Sequence, residues 1–284
     1  DSGHVVGGGT VLLESGGKKL FYTGDINVNG SRMLREADLD IGEIDLLITE
    51  STYSQTEQMP RKESEEKFIE FANEVLDQKG TLFVPAFSVE RSQEIACILK
   101  NAKFKHKIIM DGMALSVNEV LLRYPEYLRD YDVFADAIEN TVWVRTHSER
   151  KRELSEPCVV ISPAGMLVGG NAVFYLQELA LNKNNGVALV SYQGEGTPGR
   201  RLLESGKISV QGRERKAEAQ VRQFEFSGHS DRNALFDLIK KIKGNPKVLT
   251  VHGDGNSCTK FAQEINEKFG FDAHAPKMGD IIEI

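Results

Sequence analysis

Between Arg61 and Tyr192 the chain switches repeatedly between two apolar periods. Helical spacing runs through Phe68, Phe71, Ala72, Val75 and Leu76 and closes at Lys79-Gly80, as an amphipathic helix does. Short apolar runs then alternate with helical ones: residues 81–84 extended, 91–99 helical, 107–110 extended, 115–122 helical, 158–161 extended, 172–181 helical and 187–192 extended. Strands separated by helices cannot pair as hairpins, so the pattern predicts a mostly parallel sheet with helices on both faces. Residues 126–156 are richer in charge and fit a loop, a helix or a lid.

The flanking segments have a different grammar. Residues 9–14 and 19–22 surround Ser15-Gly16-Gly17-Lys18, the composition of a hairpin turn. Residues 45–50 form a short apolar run typical of a buried strand. Pro198 suits the first turn of a short helix over 200–203. Beyond it, residues 217–226, 247–251, 271–275 and 280–284 are expected as strands, and 235–242 and 260–269 as helices. The expected organisation is one domain in two pieces, residues 1–63 and 193–284, interrupted by an inserted domain over 64–192.

Chemistry-bearing residues gather at strand ends of the flanking pieces. Asp25 follows Leu20-Phe21-Tyr22 across Thr23-Gly24; taken alone, it fits an Asx turn. Yet three of the six histidines stand beside glycine at comparable places, in Ser2-Gly3-His4, Ser227-Gly228-His229-Ser230-Asp231 and Val251-His252-Gly253-Asp254. A hairpin brings its outer ends together, so His4 and Asp25 are expected to approach each other. Imidazole and carboxylate donors suit zinc, and one carboxylate can bridge two ions roughly 3.5–4 Å apart. Glu50 ends its strand and need not touch metal, because an acidic group beside a histidine fixes its tautomer and makes it a better proton donor. His229 is its natural partner, with Ser227 and Gly228 beside it as expected substrate contacts. His106, His147 and His274 are expected to be structural.

Composition narrows the partners. With 35 basic and 42 acidic residues the net charge is −7, which disfavours nucleic-acid binding over the whole surface but allows a local basic groove. Basic clusters occur at Arg145, Arg150, Lys151 and Arg152, at Arg200-Arg201, and at Arg213, Arg215 and Lys216. Cys97, Cys158 and Cys258 are few and scattered, as reduced thiols of a cytoplasmic protein would be. No apolar run is long enough to span a bilayer, so no membrane partner is expected.

Taken together, Asp1-Ser2-Gly3-His4, Tyr22-Thr23-Gly24-Asp25, Leu47-Ile48-Thr49-Glu50-Ser51-Thr52-Tyr53, Phe226-Ser227-Gly228-His229-Ser230-Asp231 and Val251-His252-Gly253 resemble the later motifs of the metallo-β-lactamase superfamily, β-CASP branch. The runs at 84–94, 161–170 and 192–200 resemble characteristic β-CASP sequences. The resemblance covers essentially the whole chain and implies a partial αββα sandwich with an inserted parallel α/β domain. It further implies that His4 binds one zinc, Asp25 bridges two, His252 binds the other, and Glu50 and His229 form the acid pair. A histidine at position 252 is similar to the RNA-processing members, and the Glu-Ser-Thr-Tyr form around Glu50 looks like the cleavage-and-polyadenylation-factor nucleases and their archaeal homologues.

The implied function is a zinc-dependent ribonuclease, endonucleolytic and also 5′-to-3′ exonucleolytic, with RNA as partner and homodimerisation admitted. The family's His-x-His-x-Asp-His motif does not occur in this sequence. Three ligands remain where two zinc ions would use about seven, so this chain is expected to be a cut fragment with low zinc occupancy and little activity, paired with a separate N-terminal half. A non-catalytic RNA-binding scaffold is the rival reading. Retention of all five site residues argues against it, and the inserted domain argues against a small lactam or thioester substrate.

Overall fold

The computed structural model describes all 284 residues, Asp1–Ile284. In chain order the elements are β1 (Val11–Ser15), β2 (Lys18–Tyr22), β3 (Leu46–Glu50), α1 (Arg61–Asp77), β4 (Leu82–Pro85), α2 (Arg91–Asn101), β5 (Ile108–Asp111) and α3 (Met113–Leu121). Then come α4 (Tyr131–Glu139), β6 (Val142–Val144), α5 (His147–Glu153), β7 (Val159–Ser162), α6 (Asn171–Leu179), β8 (Gly186–Leu189), α7 (Pro198–Ser205), β9 (Lys207–Val210) and β10 (Arg213–Lys216). The last are β11 (Gln220–Gln223), α8 (Arg232–Lys241), β12 (Lys247–Val251), α9 (Ser257–Phe269) and β13 (Asp272–His274). No helix is long and apolar enough to cross a membrane.

Two compact units result. The first joins Asp1–Gln58 with Gly228–Ile284. Its sheet runs β1-β2-β3-β12-β13, with β1 and β2 antiparallel and the remaining pairs parallel. Strand alternation sends Phe21, Leu47, Val248 and Ala273 to one face, where Leu235, Leu238 and Ile239 of α8 and Phe261 and Ile265 of α9 close the core. On the opposite face Val11 and Leu13 of β1 and Tyr22 of β2 stay exposed. The hairpin turn falls at Gly16-Gly17, both at positive φ, as its composition predicts.

The second unit is Met59–Ser227. Its six strands follow the order β11-β8-β4-β7-β5-β6, and every pair is parallel. Alternate residues of β4 face opposite ways: Leu82 lies with Phe71 and Val75 of α1, whereas Phe83 lies with Tyr175 and Leu176 of α6. Both faces are therefore covered, and the central strands are buried throughout, as parallel sheets require.

Several boundaries differ from expectation. The second unit does not stop near residue 192, because β11 pairs with β8 and adds an edge strand, carrying the unit on to Ser227. The strand expected over 217–226 shortens to Gln220–Gln223. Residues 280–284, expected as a strand, form none: Ile281 and Ile284 are exposed, and the sheet already ends at β13. The charged stretch 126–156 resolves into a short 3-10 turn at Pro125–Tyr127, then α4, β6 and α5.

Candidate metal centre and proton-donor pair

In the first unit, β2, β3 and β12 are adjacent and parallel, so their carboxyl ends share one edge. Asp25 follows β2, Glu50 is the last residue of β3, and His252 follows β12. Two more side chains reach this edge from loops. The backbone at Gly3, with φ +67, passes so close to Asn27 that a Cβ would stand 2.4 Å from its carbonyl oxygen; only glycine fits, and His4 is delivered next. His229 precedes α8, where the Ser230 N–H donates to the Ile26 carbonyl (2.7 Å) and the Ser230 hydroxyl accepts from the Val28 N–H (3.1 Å).

The two oxygens of Asp25 face different histidines. Oδ1 lies 2.9 Å from His252 Nδ1 and Oδ2 lies 3.7 Å from His4 Nε2. His4 Nδ1 is 2.9 Å from the Gly228 carbonyl, which can only accept, so Nδ1 carries a proton and the neutral ring turns its Nε2 lone pair toward Asp25. Burial, reinforced by the neighbouring His229 ring, pushes the His4 pKa below its ordinary value and favours that neutral form. Two acceptors facing each other at 3.7 Å, too far for a hydrogen bond, make a seat for a cation. Donor atoms of His4, Asp25 and His229 lie within 4.8 Å of one another, as do those of Asp25, Glu50 and His252. Asp25 is common to both groups, so the donor set fits two neighbouring cations sharing one carboxylate.

Glu50 is already engaged. It is 1% exposed; its Oε1 accepts from the Ile26 N–H at 2.6 Å, and its two oxygens lie 3.0 and 2.8 Å from His229 Nδ1. Burial pushes its pKa up, but the hydrogen bond and charge of His229 and the Ile26 N–H outweigh it and hold the carboxyl below the usual range. An ionised Glu50 fixes the proton of His229 at Nδ1, so Nε2 is the nitrogen through which His229 can pass a proton onward. The His229 ring lies 4.3 Å from that of His4 and 5.9 Å from that of Tyr53.

The five residues singled out from sequence thus come together. Gly228 presents its carbonyl to His4; Ser227 is half-buried at the end of the second unit. Asp231 caps α8, accepting from the Ala234 N–H at 2.9 Å. His274 pairs with Asp272 on β13, His147 lies against Phe174 and His106 against Phe104. Sequence reasoning missed Thr52, whose hydroxyl lies 3.2 Å from both Nδ1 and the carbonyl oxygen of His252. It also missed the strain at His252, which has φ +49, an uncommon backbone state for a residue with a side chain and one that concentrates at functional sites.

Comparison with known proteins agrees with this architecture. Residues 92–202 match the Beta-Casp domain, and residues 215–276 match the Zn-dependent metallo-hydrolase RNA specificity domain. The chain belongs to the β-CASP ribonucleases of the metallo-β-lactamase superfamily. Over its full length it is 35% identical to an RNase J-like protein of Methanocaldococcus jannaschii, spanning 70% of that protein. It is 35% identical to RNase aCSPSF2 of Saccharolobus solfataricus, spanning 58%, and 32% identical to the transcription termination factor FttA of Pyrococcus abyssi, spanning 48%.

Proposed function

We propose that the chain carries the proton-donor pair and part of the metal shell of a zinc-dependent ribonuclease that hydrolyses RNA phosphodiester bonds during RNA processing or decay. The cut is endonucleolytic, with 5′-to-3′ exonucleolytic action as a second mode. Asp25 would bridge two zinc ions, His4 would hold one and His252 the other. Bound zinc supplies charge to neutralise the phosphoryl group and lowers the pKa of water. His229 donates a proton from Nε2 to the leaving oxygen while Glu50 holds its ring and stabilises its charged form. The observation that carries this reading is the split of Asp25, one oxygen toward each of two histidines.

Three side chains do not complete the coordination of two ions. The open face of the first sheet, with Val11, Leu13 and Tyr22 exposed, is a surface on which further ligand-bearing structure would pack. Exposed apolar area of this kind disfavours the isolated state by roughly 25 cal/mol per Å².

The test compares zinc content and cleavage of labelled RNA for the purified chain and for a longer protein containing it, each with Asp25→Ala and His229→Ala. Asp25→Ala should lose both zinc and cleavage. His229→Ala should keep zinc and lose cleavage alone. Equal loss of zinc in the two variants would sink this division of roles, and RNA binding without cleavage by the longer, zinc-loaded protein would favour a scaffold.

A further inference from the structure

Ligands of parallel α/β sheets lie beyond the carboxyl ends of the strands. In the second unit that edge is unusually apolar. The loop after β8 exposes Tyr192, the loop after β4 exposes Phe87 and Val89, the loop after β7 exposes Val168, and the start of α3 after β5 exposes Met113. These strands are neighbours in the order β8-β4-β7-β5, so the exposed side chains form one row along one edge. Scattered surface apolar residues need no explanation, but exposed apolar side chains on successive loops of one sheet edge are the arrangement an interaction site takes.

The row is held in place. The Phe87 carbonyl accepts from the Ser92 N–H (3.1 Å) and hydroxyl (2.7 Å), the Arg91 N–H donates to the Val89 carbonyl (2.8 Å), and Gln93 Nε2 donates to the Ser88 carbonyl (3.1 Å). Beside Tyr192, Gln193 Nε2 donates to the carbonyls of Ser191 (2.9 Å) and Gly165 (3.0 Å). Gly165 wedges the two aromatic loops together, since a Cβ there would stand 3.0 Å from Ser191 Oγ and 3.2 Å from the Phe87 nitrogen. Phe87 is 41% and Tyr192 49% exposed, on loops whose backbone hydrogen bonds fix their direction. Cationic side chains stand at both ends of the row: Arg145 directly after β6, paired with Glu119, and Arg200 and Arg201 in the first turn of α7 after β8, Arg200 paired with Glu204.

An apolar, aromatic strip between cationic ends matches a single polynucleotide strand, with bases for the rings and phosphates for the charges. We propose that Phe87 and Tyr192 are stacking platforms for unpaired RNA bases, making the carboxyl edge of this sheet a base-binding surface of the second unit. This rests on the reading of the protein as acting on RNA. Stacking does not depend on base identity, so the strip discriminates against paired and abasic strands rather than between sequences.

Fluorescence anisotropy with chelator present, so that nothing is cut, tests this on the purified chain. The probes are a labelled oligouridylate and an oligomer of the same length with abasic central nucleotides. The natural chain should bind the oligouridylate more tightly than the abasic oligomer. Phe87→Ala and Tyr192→Ala should each weaken that binding by roughly fivefold to a hundredfold, the double variant should abolish the preference, and Tyr192→Phe should retain it. Both rings are exposed, so unfolding is not expected, and circular dichroism of each variant checks it. Equal affinity for the two probes, or variants that bind as the natural chain does, would overturn the stacking role while leaving RNA binding intact. If the same variants alter self-association instead, the strip belongs to a protein contact and the inference fails. Binding of neither probe would overturn the RNA reading itself.

Discussion

Asp25 is the residue on which the arrangement turns, because each oxygen has its own imidazole. Under the proposed function it would be shared by two zinc ions, so Asp25→Ala in a longer protein containing this chain is expected to abolish RNA cleavage, with zinc measured by plasma emission falling in parallel. His229→Ala should lower the cleavage rate by about a hundredfold or more, the usual weight of a general acid, with zinc content unchanged. Acid should weaken the first unit through two groups. Glu50 has its folded pKa held below the ordinary 4.5, so its contribution is present above pH 4.5 and is lost as the pH falls through the folded value. His4 is held neutral, its pKa pushed below the ordinary 6.5, so its protonation on acidification also favours unfolding. In metal-free buffer the urea midpoint should fall as pH drops from 6.5, and Glu50→Gln should flatten the lower part of the curve. A midpoint that rises on acidification would contradict both assignments.

Among the elements, α5 is tied down by one buried carboxylate. Asp111, at the end of β5, accepts from Arg150 Nε at 2.6 Å and Nη2 at 3.2 Å, from Tyr175 Oη at 2.9 Å and from Asn171 Nδ2 at 3.0 Å. Asp111→Ala leaves the guanidinium without its counter-charge and should destabilise the second unit by roughly 3–5 kcal/mol, the usual result of removing one partner of a buried pair; thermal unfolding reads it. None of this was visible beforehand, because Asp111 and Arg150 meet only through the sheet. The helices and strands over 61–122 and 158–189 were legible because short apolar runs alternate with helical spacing, whereas α4, β6 and α5 were not, since they lie in the charge-rich stretch 126–156 and α5 buries no side chain. The hairpin of β9 and β10 was not, since Arg213–Lys216 is charged and fully exposed and reads as a solvated run. Its turn, Gln211-Gly212, has φ +50 and +75, and Gly212 was the one available signal. That His4, Asp25, Glu50, His229 and His252 would come together was legible for another reason: they stand at the edges of apolar runs, where a short polar motif interrupts the pattern.

For the molecule as a whole, the first unit is continuous in space although not in sequence. The Gln58 N–H donates to Asp231 Oδ2 at 3.2 Å, and Arg232 N–H to the Thr56 carbonyl at 3.0 Å, so the two ends left by removing Met59–Ser227 already lie side by side. Joining Gln58 to Gly228 through a short Gly-Ser linker should therefore give a folded unit with dispersed amide resonances and the pairing of Glu50 with His229 intact; a disordered spectrum would show that the unit depends on the other for folding. The same interruption governs timing. His4 and Gly228 are 224 residues apart, Thr52 and His252 are 200 apart, and contacts of such separation form late because the loop must be closed before it is rewarded. During synthesis the second unit is complete before His229 or His252 has been made. A chain still on the ribosome therefore cannot bring His4, Asp25, Glu50, His229 and His252 together until its final portion has emerged.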